Sequence, residues 1–151
     1  VVFTGKNTMT GGRIKRLEKF LKKENFLLTY GDGLSDVNIK KLIKFHKKNK
    51  NIVTLTAARP PARFGGIKLS GNKVKYFKEK SSLDEGWING GFFVIEPEIF
   101  RFIKNDKSYL ERTPLEKIAS IGELSAFKHN GFWQCMDTLR DKEILEKKLK
   151  T

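Results

Sequence analysis

The sequence predicts an α/β protein, a central sheet flanked by helices, and three observations carry that prediction. Helical and strand-like periodicities alternate through the first third of the chain. Glycine stops short apolar runs abruptly, as in Phe26-Leu27-Leu28-Thr29-Tyr30 before Gly31-Asp32-Gly33. Hydrophobic residues make up 38% of the 151, with twelve Phe, a content that builds a packed core and excludes a disordered chain.

The elements follow in order. Gly11-Gly12 precede a helical pattern over 13–23, with Ile14, Leu17, Phe20 and Leu21 on one stripe. Residues 26–30 read as a buried strand of a parallel sheet. Ser35 or Asp36 caps the next helix, where Ile39, Leu42, Ile43 and His46 recur at helical spacing to about residue 49. A β-branched run over 51–58 completes a helix, strand, helix, strand rhythm. Pro60-Pro61 then break the chain, and Arg63-Phe64-Gly65-Gly66 read as a loop. Residues 67–69 and 73–77 flank Ser70-Gly71-Asn72 as a hairpin. Residues 88–95 read as a strand with Gly90-Gly91 inside it, the mark of a bulge or of a close approach by backbone or ligand. Pro97 opens a short helix, and Pro114 takes the first position of another that ends before Gly122. A short strand over 124–128 and a last helix over 139–149, capped by Thr138, finish the chain. There are no repeats, low-complexity tracts or linkers, and residues 1–151 read as a single domain.

Charge and cysteine narrow the function. The net charge of +14 points first to nucleic acid, yet only seven of the 31 basic residues are Arg. The lysines are scattered over helix faces, as at Lys40, Lys41, Lys44, Lys47 and Lys48, without interleaved aromatics. That pattern favours a solvated lysine surface over a nucleic-acid groove, and a positive field suits phosphate-bearing substrates. The lone Cys135 excludes an internal disulfide and a cysteine-built zinc site, and fits a reducing cytoplasm. No apolar run approaches the roughly 20 residues of a membrane span. The opening Val1-Val2-Phe3-Thr4-Gly5 lacks a signal-peptide pattern and starts directly in a strand-like run, as a chain cut from something longer would.

Ligands of open α/β sheets gather outside the carboxyl ends of strands, and Asp32 stands at such an end between two glycines. Its carboxylate is a hard oxygen ligand suited to Mg²⁺, or else part of a plain Asp-Gly turn. Asp137, one residue before a helix cap, is either a second metal ligand or an acid complementing the helix dipole. Glu79-Lys80 either meet a sugar phosphate and its hydroxyls or form a surface ion pair. In Trp87-Ile88-Asn89-Gly90-Gly91, Asn89 offers donor and acceptor groups and the glycines leave room for a sugar ring; a bulged core strand is the alternative. His46, His129 and Cys135 lack partners at ligand or nucleophile spacing and read as structural, with Cys135 a small buried hydrophobe. No Ser-His-Asp order, P-loop or dinucleotide fingerprint is present.

Four segments carry a family resemblance: Thr8-Met9-Thr10-Gly11-Gly12-Arg13, Tyr30-Gly31-Asp32-Gly33-Leu34-Ser35-Asp36-Val37-Asn38, Trp87-Ile88-Asn89-Gly90-Gly91-Phe92-Phe93, and Phe132-Trp133-Gln134 with Met136-Asp137-Thr138-Leu139-Arg140-Asp141. Together they resemble the glucose-1-phosphate cytidylyltransferases, a branch of the sugar nucleotidyltransferase family, over essentially the whole chain. The resemblance implies a partial Rossmann-like mixed sheet with flanking helices, of the nucleotide-diphospho-sugar transferase type. It implies CTP and α-D-glucose 1-phosphate as substrates, CDP-glucose and pyrophosphate as products, Mg²⁺ as cofactor, and a place at the start of dideoxysugar biosynthesis. By motif, Asp32 and Asp137 would hold the metal and act in catalysis. Lys80 would meet the glucose phosphate, and Glu79, Asn89 and Gly90 would line the sugar pocket. Thr10, Gly11 and Arg13 would lie near the nucleotide or a subunit contact.

The chain departs from the family pattern at Phe3, Ser81 and Cys135, where Asp, Pro and Pro are usual. The family's glycine-rich nucleotide loop lies upstream of anything present, so the resemblance implies an N-terminally truncated domain, inactive alone, whose open sheet edge predicts a homo-oligomer. The other readings are a non-catalytic sugar-phosphate-binding or interaction module, and a thymidylyl- or uridylyltransferase of the same superfamily.

Overall fold

A computed structural model describes residues 1–60, 66–78 and 86–150. Among them the chain forms α1 (Thr10–Arg16), α2 (Glu18–Leu21), β1 (Phe26–Leu28), β2 (Gly33–Ser35), α3 (Ile39–Asn49), β3 (Val53–Ala58), β4 (Gly66–Ser70), β5 (Lys73–Lys78), β6 (Ile88–Asn89), β7 (Phe93–Ile95), a 3₁₀ turn (Pro97–Arg101), α4 (Thr113–Ser120), β8 (Leu124–Lys128), β9 (Trp133–Cys135) and α5 (Leu139–Leu149). These residues gather into two compact units.

The first unit comprises Val1–Thr29, Asn38–Leu55 and Phe92–Phe127. Here β7 lies between β1 and β3 and is antiparallel to both, in registers Phe26↔Ile95 and Val53↔Ile95. On its other edge β3 pairs with β8. Val53 N donates to Glu123 O at 3.1 Å and, further along, His129 N donates to Ala57 O at 2.9 Å, so these two strands advance in the same direction. The sheet is therefore mixed, as the family resemblance implies. The parallel sheet read from the helix–strand rhythm fails because β7 returns between two parallel strands, and periodicity carries no information on direction. Val53, Phe93 and Ile95 are fully buried, whereas Leu27 of β1 is 53% exposed. The run at 26–30 is thus an outer strand of this order rather than a buried one.

Asn38, not Ser35 or Asp36, caps α3, its Oδ1 accepting from Lys41 N at 2.9 Å. Leu42 and His46 of α3 are buried. His46 Nε2 lies 2.8 Å from Glu96 Oε1 and Nδ1 lies 2.8 Å from Thr54 Oγ1, so a buried polar ring is satisfied at both nitrogens. The helix expected over 13–23 starts earlier and breaks at Leu17 into α1 and α2. Gly11 and Gly12 of α1 pack onto backbone at 106–110; a Cβ on Gly12 would meet Asp106 Cα at 2.6 Å. Arg16 clamps the same segment with a two-pronged contact to Asp106, Nε to Oδ1 at 2.9 Å.

The second unit comprises Tyr30–Val37, Thr56–Gly91 and Lys128–Thr151. In it β2 pairs antiparallel with β9, and the end of β3 pairs antiparallel with β6, Ala57↔Asn89 and Ala58↔Ile88. β4 and β5 form the expected hairpin, with a register shift at Lys68/Leu69. The strand expected over 88–95 is interrupted: β6 ends at Asn89, Gly91 and Phe92 take positive φ of 73° and 47°, and β7 starts at Phe93. Thr138 caps α5 in a reciprocal capping box with Asp141.

Candidate active site

Within the second unit the two candidate metal ligands stand just beyond the paired ends of neighbouring strands, Asp32 before β2 and Asp137 after β9. The β2–β9 ladder pairs Gly33 with Cys135, and Met136 N donates to Asp32 O at 2.9 Å, which continues the pairing one step. Asp32 is thereby opposite Met136, and Asp137 is the next residue along. Both acids are exposed. The sequence signal for this juxtaposition was weak, because β2 and β9 are three residues each and lie about a hundred positions apart.

Several contacts hold the Asp137 segment. Cys135 Sγ donates to Asp137 Oδ2 at 3.1 Å, so the cysteine is half-buried and directed to the acid rather than a buried packing residue. Buried Gln134 donates through Nε2 to Cys135 O at 2.9 Å and to Asp141 Oδ1 at 2.8 Å. Asp141 Oδ2 accepts from Thr138 N at 3.0 Å and from Thr138 Oγ1 at 2.8 Å. The Asp137 backbone is therefore pinned on both sides, by the ladder before it and the capping box after it. On β2, Ser35 Oγ donates to Phe132 O at 2.7 Å, and Asp36 Oδ1 lies 2.9 Å from His129 Nε2. Because Nε2 also faces Phe132 O at 3.1 Å, both neighbours are acceptors and this nitrogen carries the proton.

Asn89 ends β6, and Gly90 opens the turn that leads to β7. Asn89 Oδ1 accepts from Gly91 N at 3.0 Å and Nδ2 donates to Tyr30 Oη at 3.1 Å. Among the described residues, one N–H and one lone pair of its amide are thus used, and one of each remains. Trp133 Nε1 donates to Gly90 O at 2.7 Å. Gly90 is buried, and an added Cβ would meet Ala58 Cβ at 2.9 Å and Thr56 O at 3.1 Å, so glycine is required here by packing. Tyr30 and Trp133, which position Asn89 and Gly90, stand in two of the segments that carry the family resemblance, but sequence alone assigned them no role of their own.

Asp32, Asp137, Asn89 and Gly90 thus fall in one unit. Glu79 and Lys80 lie outside the described residues. Thr10, Gly11 and Arg13 belong to the first unit. Thr10 Oγ1 donates to Glu111 Oε2 at 2.7 Å and accepts from Leu110 N at 2.9 Å, and Arg13 Nη1 donates to Thr4 Oγ1 at 3.0 Å. Among the described residues no group of three or more His, Cys, Asp or Glu forms a metal cage, and no helix is long and apolar enough to cross a membrane.

The chain belongs to the nucleotidyl transferase family, whose family model matches residues 5–134. It is 50% identical, over 147 residues, to the glucose-1-phosphate cytidylyltransferases of Salmonella typhi and of Salmonella typhimurium. The match covers 97% of this chain and 57% of each relative, so the chain spans little more than half their length. Among solved structures, HddC from Yersinia pseudotuberculosis complexed with GMP-PN superposes with a TM-score of 0.71 at 20% identity, covering 98% of this chain and 65% of that one. That likeness establishes the fold.

Proposed function

We propose that this chain supplies the metal-holding and sugar-binding part of a glucose-1-phosphate cytidylyltransferase. The observation that carries the reading is the placement of Asp32 and Asp137 just beyond the paired ends of β2 and β9, Asp32 opposite Met136 and Asp137 the next residue, in the unit that also holds Asn89 and Gly90. The 50% identity over nearly the whole chain supports the cytidylyl branch.

Two exposed carboxylates are a donor set that fits Mg²⁺, which keeps few protein ligands and completes its shell with water and phosphate oxygens. When bound, the ion supplies charge neutralisation on the phosphates. The chain's own residues do the positioning. Asn89, fixed by Tyr30 and by Gly91 N, offers its remaining N–H and lone pair to glucose hydroxyls, and Gly90 lets the ring approach backbone. By motif alone, Lys80 is assigned to the sugar phosphate and Glu79 to the sugar hydroxyls. A phosphate oxygen of glucose 1-phosphate then attacks the α-phosphorus of CTP in line; the new P–O bond forms as the bond to the β-phosphate bridge breaks, and pyrophosphate leaves. Holding the reactants in that geometry provides most of the acceleration. The CDP-glucose formed serves dideoxysugar synthesis in the cytoplasm, and self-association belongs to the same reading.

The test is pyrophosphate release by the protein that carries this chain, with glucose 1-phosphate, Mg²⁺ and CTP, UTP or dTTP in turn. CTP-selective release supports the assignment. Release with UTP or dTTP alone, or with none of the three, overturns it.

A further inference from the structure

His129 has no part in the roles above, and its side chain acts at the end of the β2–β9 ladder far from the two acids. Its amide donates to Ala57 O at 2.9 Å, which anchors its backbone to β3. Ala57 is also the register partner of Asn89, so one anchor serves both β6 and the turn that leads into β9. The ring turns onto Phe132, the residue before β9, and shares its Nε2–H between Phe132 O at 3.1 Å and Asp36 Oδ1 at 2.9 Å. Phe132 O accepts as well from Ser35 Oγ at 2.7 Å and from Asp36 N at 3.2 Å. Three donors thus converge on a carbonyl with two lone pairs. The fit around them is close: a Cβ on Gly131 would meet Asp36 Oδ1 and, at 2.6 Å, His129 Cε1.

We propose that His129 is a positioning residue for the acid pair: it sets the register of β9 on β2, and with it the spacing of Asp32 and Asp137. This role rests on the metal-holding reading above. The ladder by itself specifies its register weakly. It has the pairs Gly33↔Cys135, Leu34↔Gln134 and Ser35↔Trp133, and of these six residues Gln134 alone is buried. Register is firmly set where one face of a strand is buried and loosely set elsewhere. A slip of one residue would carry Asp137 about 3.4 Å past Asp32. Mg²⁺ takes its oxygens at about 2.0–2.1 Å in near-octahedral geometry and does not absorb such a displacement. Two locks oppose the slip. Met136 N on Asp32 O closes the acid end, and the Phe132 carbonyl, held by Ser35, Asp36 and His129, closes the other. Within the second lock His129 is the one side chain from outside β2, β9 and the residues flanking Asp36, so it carries the fixed position of β3 to the ladder.

Mn²⁺ titration of the chain by electron paramagnetic resonance, with thermal unfolding by circular dichroism alongside, tests it in wild type, His129→Leu, His129→Gln, Asp36→Ala, Asp36→Asn and Asp32→Asn. His129→Leu is expected to weaken Mn²⁺ about tenfold, the low end of the loss for outer partners of a metal site. His129→Gln, whose amide places an N–H near the lost Nε2–H, restores most of that affinity. Asp36→Asn keeps an acceptor for the ring and stays near wild type, while Asp36→Ala falls with His129→Leu. The Asp36 side chain is 63% exposed, so its variants keep the question decidable should His129→Leu not fold. A merely structural His129 would lower the melting temperature and leave the Mn²⁺ affinity of the folded variant untouched. That result overturns the positioning role, as does an equal loss in His129→Gln and His129→Leu. Mn²⁺ binding weakened by Asp32→Asn but unchanged in folded His129→Leu and Asp36→Ala removes the role of His129 and keeps the acid pair. No Mn²⁺ binding by wild type removes the metal reading and the positioning role together.

Discussion

The amide of Met136 donates to the carbonyl of Asp32 at 2.9 Å, and this one bond carries the β2–β9 pairing past its last ladder step to the edge of Asp137. Two acids separated by more than a hundred residues in sequence are thereby fixed beside one another. The consequences can be checked residue by residue.

Gly90→Ala should overpack the turn after β6. Its Cβ would meet Ala58 Cβ at 2.9 Å and the Trp133 indole nitrogen at 3.1 Å. Small-to-large changes in packed sites cost about 1–3 kcal/mol, which urea denaturation would read as a lower midpoint at unchanged slope.

Trp133→Phe keeps an aromatic ring, though a smaller one, and removes the indole donor to Gly90 O, now 2.7 Å away. A carbonyl left without its partner costs about 1–3 kcal/mol. The same variant should weaken glucose 1-phosphate binding, because the turn that presents Asn89 loses its anchor.

Thr138→Ala removes the cap of α5 and one of the hydrogen bonds on Asp141. Loss of an N-cap costs about 1 kcal/mol. Since Asp137 is the preceding residue, metal affinity should fall along with thermal stability, whereas Lys142→Ala on the exposed face of α5 should change neither.

Arg16 and Asp106 give the pH dependence a local origin. The Arg16 hydrogen bonds hold the Asp106 carboxyl below its usual range. A depressed carboxyl adds stability that is present above its unfolded pKa of about 3.9 and is lost as pH falls through the lower folded value. Arg16 stays protonated throughout and adds no slope there. The stability difference between wild type and Asp106→Asn should therefore hold above about pH 4 and shrink below it; a difference constant into strong acid would contradict the pairing.

Much of this was legible in the sequence, for physical reasons that differ between elements. The α3 stripe, the β4–β5 hairpin around Ser70-Gly71-Asn72 and the Thr138 cap are local, and local chemistry decides them. The cap of α3 was misassigned because Ser35, Asp36 and Asn38 all carry suitable oxygens. Tertiary contacts decide among them: the Ser35 hydroxyl binds Phe132 O and Val37 N, and Asp36 faces His129. β2 and β9 escaped notice since neither is long enough to show alternation, and each exists only through the other. The break at Asn89 was visible as a glycine pair but not as a turn, because the Asn89 side chain that closes it onto Gly91 N could equally have pointed away. The acids at 32 and 137 were identified from their glycine and helix-cap contexts; that they adjoin is a property of the fold.

The central claim is that Asp32 and Asp137 hold one divalent ion together. Titration of the chain with Mn²⁺ as a paramagnetic stand-in for Mg²⁺, in wild type, Asp32→Asn, Asp137→Asn and the double variant, tests it most directly. One site is expected in wild type. Either single change should lower affinity at least about tenfold, the floor set by losses seen when mere supporting partners of a ligand are removed. The double variant should lose little more than either single one, because the two act as a unit. Unchanged Mn²⁺ affinity in both single variants, or independent and additive losses from two separate sites, would contradict the account.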